Sequence, residues 1–245
     1  MVKICCGTKV FENVQAIIFD KDGTLANAEV YLRNLAQRRA RLIDAQIPGV
    51  QEPLLMAFGL NQARLHPSGL MAVGSRLENE IAAAAYVAET GREWIESLEI
   101  VRSAFSEADR YFANKAEQTP LIEGTLNLLQ NLFQAGIKIG VLSSDSTVNV
   151  KNFIQYYQLD PYFQLYWGAD GYTDKSAPDL LAKIWSELKV NPSQTLFVGD
   201  AAIDVKIARS QTASFLGFGG GWTTAVYLAE ADIVATTWKE VEVIF

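Results

Sequence analysis

The sequence predicts an α/β fold: a three-layer core around a mainly parallel sheet, interrupted by an inserted helical cap domain. Three observations carry that expectation. Apolar runs alternate with helix-patterned stretches through the second half of the chain. Three of the runs stop at a polar residue suited to catalysis: Phe19 before Asp20, Leu142 before Ser143, and Val198 before Gly199-Asp200. Between about residues 27 and 115 the rhythm fails, leaving long helical patterns and no convincing strand.

Taken in order, Ala16-Ile17-Ile18-Phe19 is a continuous apolar run, the pattern of a strand covered on both faces. A helical pattern covers Val30 to Ala45. A Pro/Gly-punctuated stretch follows from Pro48 to Gly74, then long helix candidates at Arg76 to Thr90 and Glu93 to Lys115. The alanines from Ala82 to Ala85 suit close helix packing, since they add little bulk. Thr125 to Gln134 reads as a helix feeding a strand at Gly136 to Leu142, and Val148 to Tyr157 as the next helix. Tyr162 to Trp167 is a short strand candidate. Pro178 opens a helix running to Leu188, because proline fits a first helical position and stops what precedes it. Thr195 to Val198, Ala213 to Gly217 and Asp232 to Val234 are the remaining strand candidates. This gives an α/β core over residues 1–26 and 117–245, with a helical cap over 27–116 hinged at both junctions.

A chain of 245 residues is long enough for such a core with an insert. An apolar fraction of 49% and a charged fraction of 20% fit a globular protein. The formal charge of −7 argues against nucleic acid or an anionic membrane as the main partner. Cys5 and Cys6 are adjacent and have no third cysteine, which points to a reducing, cytoplasmic setting. Neither a signal peptide nor an 18-residue apolar run is visible, so no membrane partner is expected.

Asp20 and Asp22 carry the chemistry. Open α/β sheets hold their ligands beyond the carboxyl ends of the strands, which is where both acids emerge. One carboxylate can attack a phosphoryl group and the other can carry a proton to the departing oxygen. Gly23 relaxes the turn and Thr24 offers a cap to the next segment. On its own, the stretch also fits a strand ending in an Asx-type turn. Lys21 should point away from both acids if the backbone stays extended.

The motifs Asp20-Lys21-Asp22-Gly23-Thr24, Ser143, Lys175-Ser176-Ala177-Pro178-Asp179 and Gly199-Asp200-Ala201-Ala202-Ile203-Asp204 occur in an order that resembles the haloacid dehalogenase-like hydrolase superfamily. The likeness is to its phosphatase branch with a helical cap, and it implies a Rossmann-like core. It implies Asp20 as nucleophile, Asp22 as general acid and base, and Ser143 and Lys175 as holders of the phosphoryl group. It also implies a Mg2+ site from Asp20, the Asp22 carbonyl, Asp200 and Asp204, the last direct or through water. Ser176 stands where the family usually has proline, a change that removes no charge or ligand atom. Taken singly, Lys175 also fits a solvated lysine at a helix entrance, and Asp204 an acid favoured by a helix dipole.

Asp22 favours a phosphate ester over a halide, because an alkoxide leaving group needs a proton. Backbone N–H groups near Asp22, Gly23 and Ser144 are expected to meet the phosphate oxygens, with Thr24 also at the substrate. In the cap, Arg64, His66, Arg76, Asn79 and Glu80 are possible selectors of the leaving group. Arg76 follows the bend at Gly74-Ser75 and would suit a carboxylate. Phe11, Phe58, Trp94 and Trp185 are assigned to cores or domain contacts rather than to base stacking, since no basic residues interleave with them. The expected partner is a small phosphorylated metabolite, with 2-phosphoglycolate leading and a sugar phosphate next. A phosphomutase or a catalytically silent regulator on the same scaffold are the alternatives, and a monomer or a homodimer fits equally.

Overall fold

The computed structural model describes residues 2–62, 64–170, 174–226 and 228–244. Two short strands, β1 (Lys3–Cys6) and β2 (Lys9–Glu12), precede β3 (Ala16–Phe19), the first strand of the main sheet. After the cap come α7 (Thr125–Gln134), β6 (Lys138–Ser143), α8 (Thr147–Tyr156), β7 (Leu165–Gly168), α9 (Pro178–Leu188), β8 (Thr195–Gly199), α10 (Ala202–Ser210), β9 (Ser214–Phe218), β10 (Ile233–Ala235) and β11 (Val241–Ile244). The main sheet has six strands in the order β10-β9-β8-β3-β6-β7, and every pairing in it is parallel.

The switch point of this sheet is β3. Phe19 pairs with Val141 of β6 on one side and Val198 of β8 on the other. The next residues of all three strands therefore emerge together, where an open sheet of this kind leaves a crevice.

Alternation along β3 explains the layers. Ile17 and Phe19 pack with Leu128, Leu129 and Phe153 beneath α7 and α8, while Ala16 and Ile18 pack with Leu180, Ile184 and Val205 beneath α9 and α10. Each fully buried Ile or Phe contributes about 1.5–3 kcal/mol, so a strand buried on both faces is strongly pinned in register.

Between β3 and β6 the chain builds the cap. Its helices are α1 (Glu29–Asp44), α2 (Gln51–Ala57), α3 (Leu70–Val73), α4 (Arg76–Glu89) and α5 (Trp94–Tyr111), and α6 (Lys115–Gln118) leads back to the core, where it packs against α8. Ala83, Ala84 and Val87 of α4 lie against Val101, Ala104 and Phe105 of α5 in the cap's own apolar cluster. Ser75 caps α4: its Oγ accepts from Glu78 N, and Glu78 returns a carboxylate to Ser75 N at 2.7 Å.

Several expectations need correction. A two-stranded hairpin, β4 (Leu60–Asn61) with β5 (Arg64–Leu65), lies in the region expected to lack strands. The stretch expected as one helix to Lys115 ends at Tyr111, and α6 begins at Lys115. Trp94 is 45% exposed, not a core residue. An antiparallel sheet in the order β11-β1-β2 was not anticipated; it adds Ile4, Cys6 and Phe11 to the core under α7. Cys5 and Cys6 are both free. No helix among the described residues is long and apolar enough to cross a membrane.

Candidate active site

Asp20 leaves β3 still in register with its neighbour, its N–H donating to Val198 O at 2.8 Å. The chain then folds over itself. Thr24, Leu25 and Ala26 all donate N–H groups to Lys21 O, and Gly23 N donates to Ala26 O. Gly23 has φ +90°, and a Cβ there would collide with Trp222 Nε1 and lie 2.5 Å from Asp200 Oδ2. Only glycine meets both demands.

Four sequence-predicted residues meet beside this turn. Lys175, buried in the loop before α9, places Nζ 3.0 Å from Asp20 Oδ1 and 2.7 Å from Asp204 Oδ1. Asp204 sits in the first turn of α10, where its other oxygen accepts from Ala201 N at 3.1 Å. Asp200 accepts from Thr24 Oγ1 and from Trp222 Nε1, both at 2.7 Å. Asp20, Asp200 and Asp204 each offer a carboxylate oxygen within 4.8 Å of the others. Among the described residues no hydrogen bond reaches Asp20 Oδ2.

This cluster is short of positive charge. Burial raises the Asp20 carboxyl to about 6, with Lys175 opposing and Asp204 adding repulsion. Burial, then the charges of Asp20 and Asp204, push Asp200 well above the usual carboxylate range. Lys175 is held above the ordinary lysine range: burial works against its charge, but Asp20 and Asp204 outweigh it. One ammonium thus serves three buried acids, all of them hard oxygen donors. That set fits a magnesium ion, which favours oxygen ligands and would offset the repulsion.

Asp22 lies in a second, balanced cluster. Its Oδ1 is 2.5 Å from Lys21 Nζ and its Oδ2 is 2.6 Å from Lys115 Nζ. Both ammonium groups also reach Asp145 Oδ2, at 3.2 Å and 2.6 Å. Burial would raise the Asp22 carboxyl, but Lys115 and Lys21 outweigh it and the net shift is downward. Lys21 therefore does not point away. The turn after Asp20 ends the strand alternation on which that expectation rested, and the buried side chain runs over the Phe153 ring to reach the acids.

Asp20, Asp22, Lys115, Asp145, Lys175 and Asp200 line a cleft of about 780 Å³ between core and cap. Ser143 lines it from the end of β6, its Oγ accepting from Asp145 N at 3.2 Å. Ser144 also lines it, but its hydroxyl donates to Val73 O of the cap. Gly23 and Thr24 are not among the lining residues. The Gly23 N–H is spent within the turn and the Thr24 hydroxyl on Asp200, so both act through the acids they support. Nor does the Thr24 side chain cap a helix.

Arg76 lines the cap side of the cleft, where it pairs with Glu80 and Asp109 and lies over the Phe105 ring. Asn79 and Glu80 line the same wall, whereas His66 and Arg64 do not. Sequence reasoning missed Arg39, which is buried, stacks on Phe105 at 4.2 Å and pairs with Asp109 at 3.1 Å. It also missed Lys115, Asp145 and Trp222. Asp145 directly follows Ser143-Ser144 and was the most accessible of these to pattern reading.

Comparison with known proteins agrees with this geometry. Residues 14–211 match the model of a family described as haloacid dehalogenase-like hydrolase. A phosphoglycolate phosphatase of Salmonella paratyphi A is 24% identical, over 94% of this chain and 91% of that protein. One of Escherichia coli O157:H7 is also 24% identical, over 91% of this chain and 89% of its own length. Among solved structures, a predicted phosphoglycolate phosphatase from Haemophilus somnus superposes with a TM-score of 0.67 at 19% identity, covering 93% of this chain and 95% of that one. CbbY from Rhodobacter sphaeroides, solved with phosphate, gives 0.57 at 17% identity over 92% and 95%. At these identities the structures support a shared fold.

Proposed function

The chain belongs to the haloacid dehalogenase-like hydrolase family, and from that premise we propose that it is a Mg2+-dependent phosphatase of a small phosphorylated metabolite. The observation that carries this reading is the meeting of Asp20, Lys175, Asp200 and Asp204 at the switch point of the sheet. A phosphate monoester and Asp20 are both anions, so a site for this reaction must first overcome their repulsion. Lys175 beside Asp20 answers part of that need. A magnesium ion held by Asp20, Asp200, Asp204 and the Asp22 carbonyl would supply the remaining positive charge.

Asp20 Oδ2, the oxygen not engaged by Lys175, attacks phosphorus in line. The P–O ester bond breaks, and its electron pair leaves with the ester oxygen, which takes a proton from Asp22. An aspartyl-phosphate remains. Water then attacks the same phosphorus, passes its proton to Asp22, and releases inorganic phosphate with Asp20 restored. Ser143 and backbone N–H groups around Ser144 hold the equatorial oxygens. In this arrangement both Asp22 oxygens face ammonium groups. Proton delivery therefore requires Lys115, carried on the segment joining cap to core, to move away.

2-Phosphoglycolate is the first candidate substrate, with glycolate as its leaving group, supported by the curated relatives. Arg76, with Arg39 beside it, is the proposed partner for a carboxylate on that group. Phosphate release from a panel of phosphorylated metabolites, with Mg2+ or EDTA and with D20N as control, tests this reading. Mg2+-dependent release that D20N abolishes supports it, with selectivity for 2-phosphoglycolate supporting the substrate. No release from any compound overturns it.

A further inference from the structure

Asp200, a proposed metal ligand, is hydrogen-bonded by a residue that belongs as much to the cap as to the core. Trp222 follows β9 in a glycine-rich run, and its indole N–H donates to Asp200 Oδ2 at 2.7 Å. A buried indole N–H needs an acceptor, and this one takes a carboxylate of the metal cluster. The other Asp200 oxygen accepts from Thr24 at 2.7 Å. Two neutral donors, one per oxygen, fix the plane of the carboxylate without cancelling its charge. Lone pairs on both oxygens are left for a cation.

Trp222, only 8% exposed, belongs to the apolar cluster of the cap helices, whose other members include Tyr31, Leu32 and Leu35 of α1. The next residue ties the same segment to the cap a second time. Thr223 N donates to Glu29 Oε2 and Thr223 Oγ1 to Glu29 Oε1, both at 2.7 Å. Glu29 is buried and is the first residue of α1. On the core side the segment touches the turn after Asp20, for a Cβ on Gly221 would collide with Gly23 O. Residues 221–223 are thus wedged between the start of the cap and the turn that carries the catalytic acids.

We propose that Trp222 is a positioning residue for the metal site: it sets the orientation of Asp200, and with the Thr223–Glu29 clamp it makes that orientation depend on how the cap is seated. The proposal rests on the magnesium reading above. Its consequence is that magnesium affinity and cap position are linked, and by reciprocity each biases the other.

Magnesium affinity is measured by titration calorimetry on the substrate-free protein, and Mg2+-induced change in tryptophan emission is followed in parallel, for wild type, W222F and E29A. Outer-shell partners of metal ligands typically carry 10–100-fold in affinity. W222F should weaken Mg2+ binding at least about 10-fold and lose the Mg2+-dependent emission change. E29A, which keeps the indole but frees its loop from α1, should weaken binding in the same direction by less. Wild-type binding with equal affinity in W222F overturns the positioning role and leaves the phosphatase reading intact. No Mg2+ binding by wild type overturns both. Should W222F not fold, E29A and the wild-type emission decide: unchanged affinity together with Mg2+-insensitive emission overturns the proposal.

Discussion

Replacing Asp200 with Asn should make the metal-free protein more stable while removing its response to magnesium. The side chain is buried among Asp20 and Asp204, within 4.8 Å of each. At that separation and an effective dielectric of about 20, one pair of like charges costs about 3 kcal/mol. Asp200 meets two such neighbours, and the ammonium of Lys175 offsets roughly one of them. Partial protonation of Asp200 relieves some of the rest, so a gain of about 1–3 kcal/mol is expected. Asn preserves both hydrogen bonds: its Oδ1 accepts from Trp222, and its amide donates to the Thr24 hydroxyl, which can accept as readily as donate.

The pH dependence follows from the sign of the shift. The Asp200 carboxyl is raised well above its unfolded value. The folded wild type therefore binds the extra proton, and its stability falls as pH rises from about 4 through the raised value. D200N lacks that fall, so its advantage should be small near pH 4 and full above the raised value. Urea denaturation in EDTA and in Mg2+ provides the assay. Wild type should gain about 2.7 kcal/mol at a Mg2+ concentration of roughly 100 times its Kd, and D200N none. A D200N protein less stable than wild type in EDTA at neutral pH would refute the claim that the acids repel one another in the metal-free state.

Other substitutions separate the roles of neighbouring groups. K175M removes the one ammonium between Asp20 and Asp204; metal-free stability should drop by about 3–5 kcal/mol, opposite in sign to D200N, as read by urea denaturation. Its kcat should fall by about 10²–10³-fold in a phosphate-release assay. I18A truncates a side chain 1% exposed on the inner strand β3 and should cost about 2–5 kcal/mol in the same denaturation experiment. Away from the site, burial would raise the Asp232 carboxyl, but the Phe215 N–H, Arg209 and Lys9 outweigh it and hold it low. That stability is present above pH about 4 and lost as pH falls through the lowered value. D232N should therefore lose about 1 kcal/mol at pH 7 and show a shallower acid limb.

What the sequence discloses here depends on the range of the interactions involved. The buried strand Ala16–Phe19 was legible because a strand covered on both faces is apolar at every position. Helices α7 and α9 were legible to the residue, α9 because Pro178 marks its start. Asp20, Lys175, Asp200 and Asp204 were legible because their motifs fall at strand ends or helix entrances that one sheet edge gathers. The β1-β2 hairpin and β11 escaped notice, for four-residue strands buried on one side leave only two or three apolar positions each. Lys115 and Trp222 were illegible for another reason. Each reaches its acid across the fold, Lys115 from residue 115 to Asp22 and Trp222 from residue 222 to Asp200, and no local pattern records such a meeting. Lys21 was misread because strand alternation was extended one residue past the point where the backbone turns.

The central claim is that Asp20 carries the phosphoryl group between substrate and water. Rapid-quench turnover of a radiolabelled phosphate ester in Mg2+, followed by peptide mapping, tests it directly. A transient, hydroxylamine-sensitive label is expected on the peptide containing Asp20, formed and lost at rates compatible with turnover and absent in D20N. Turnover with no label on that peptide, or sustained turnover by D20N, would contradict it.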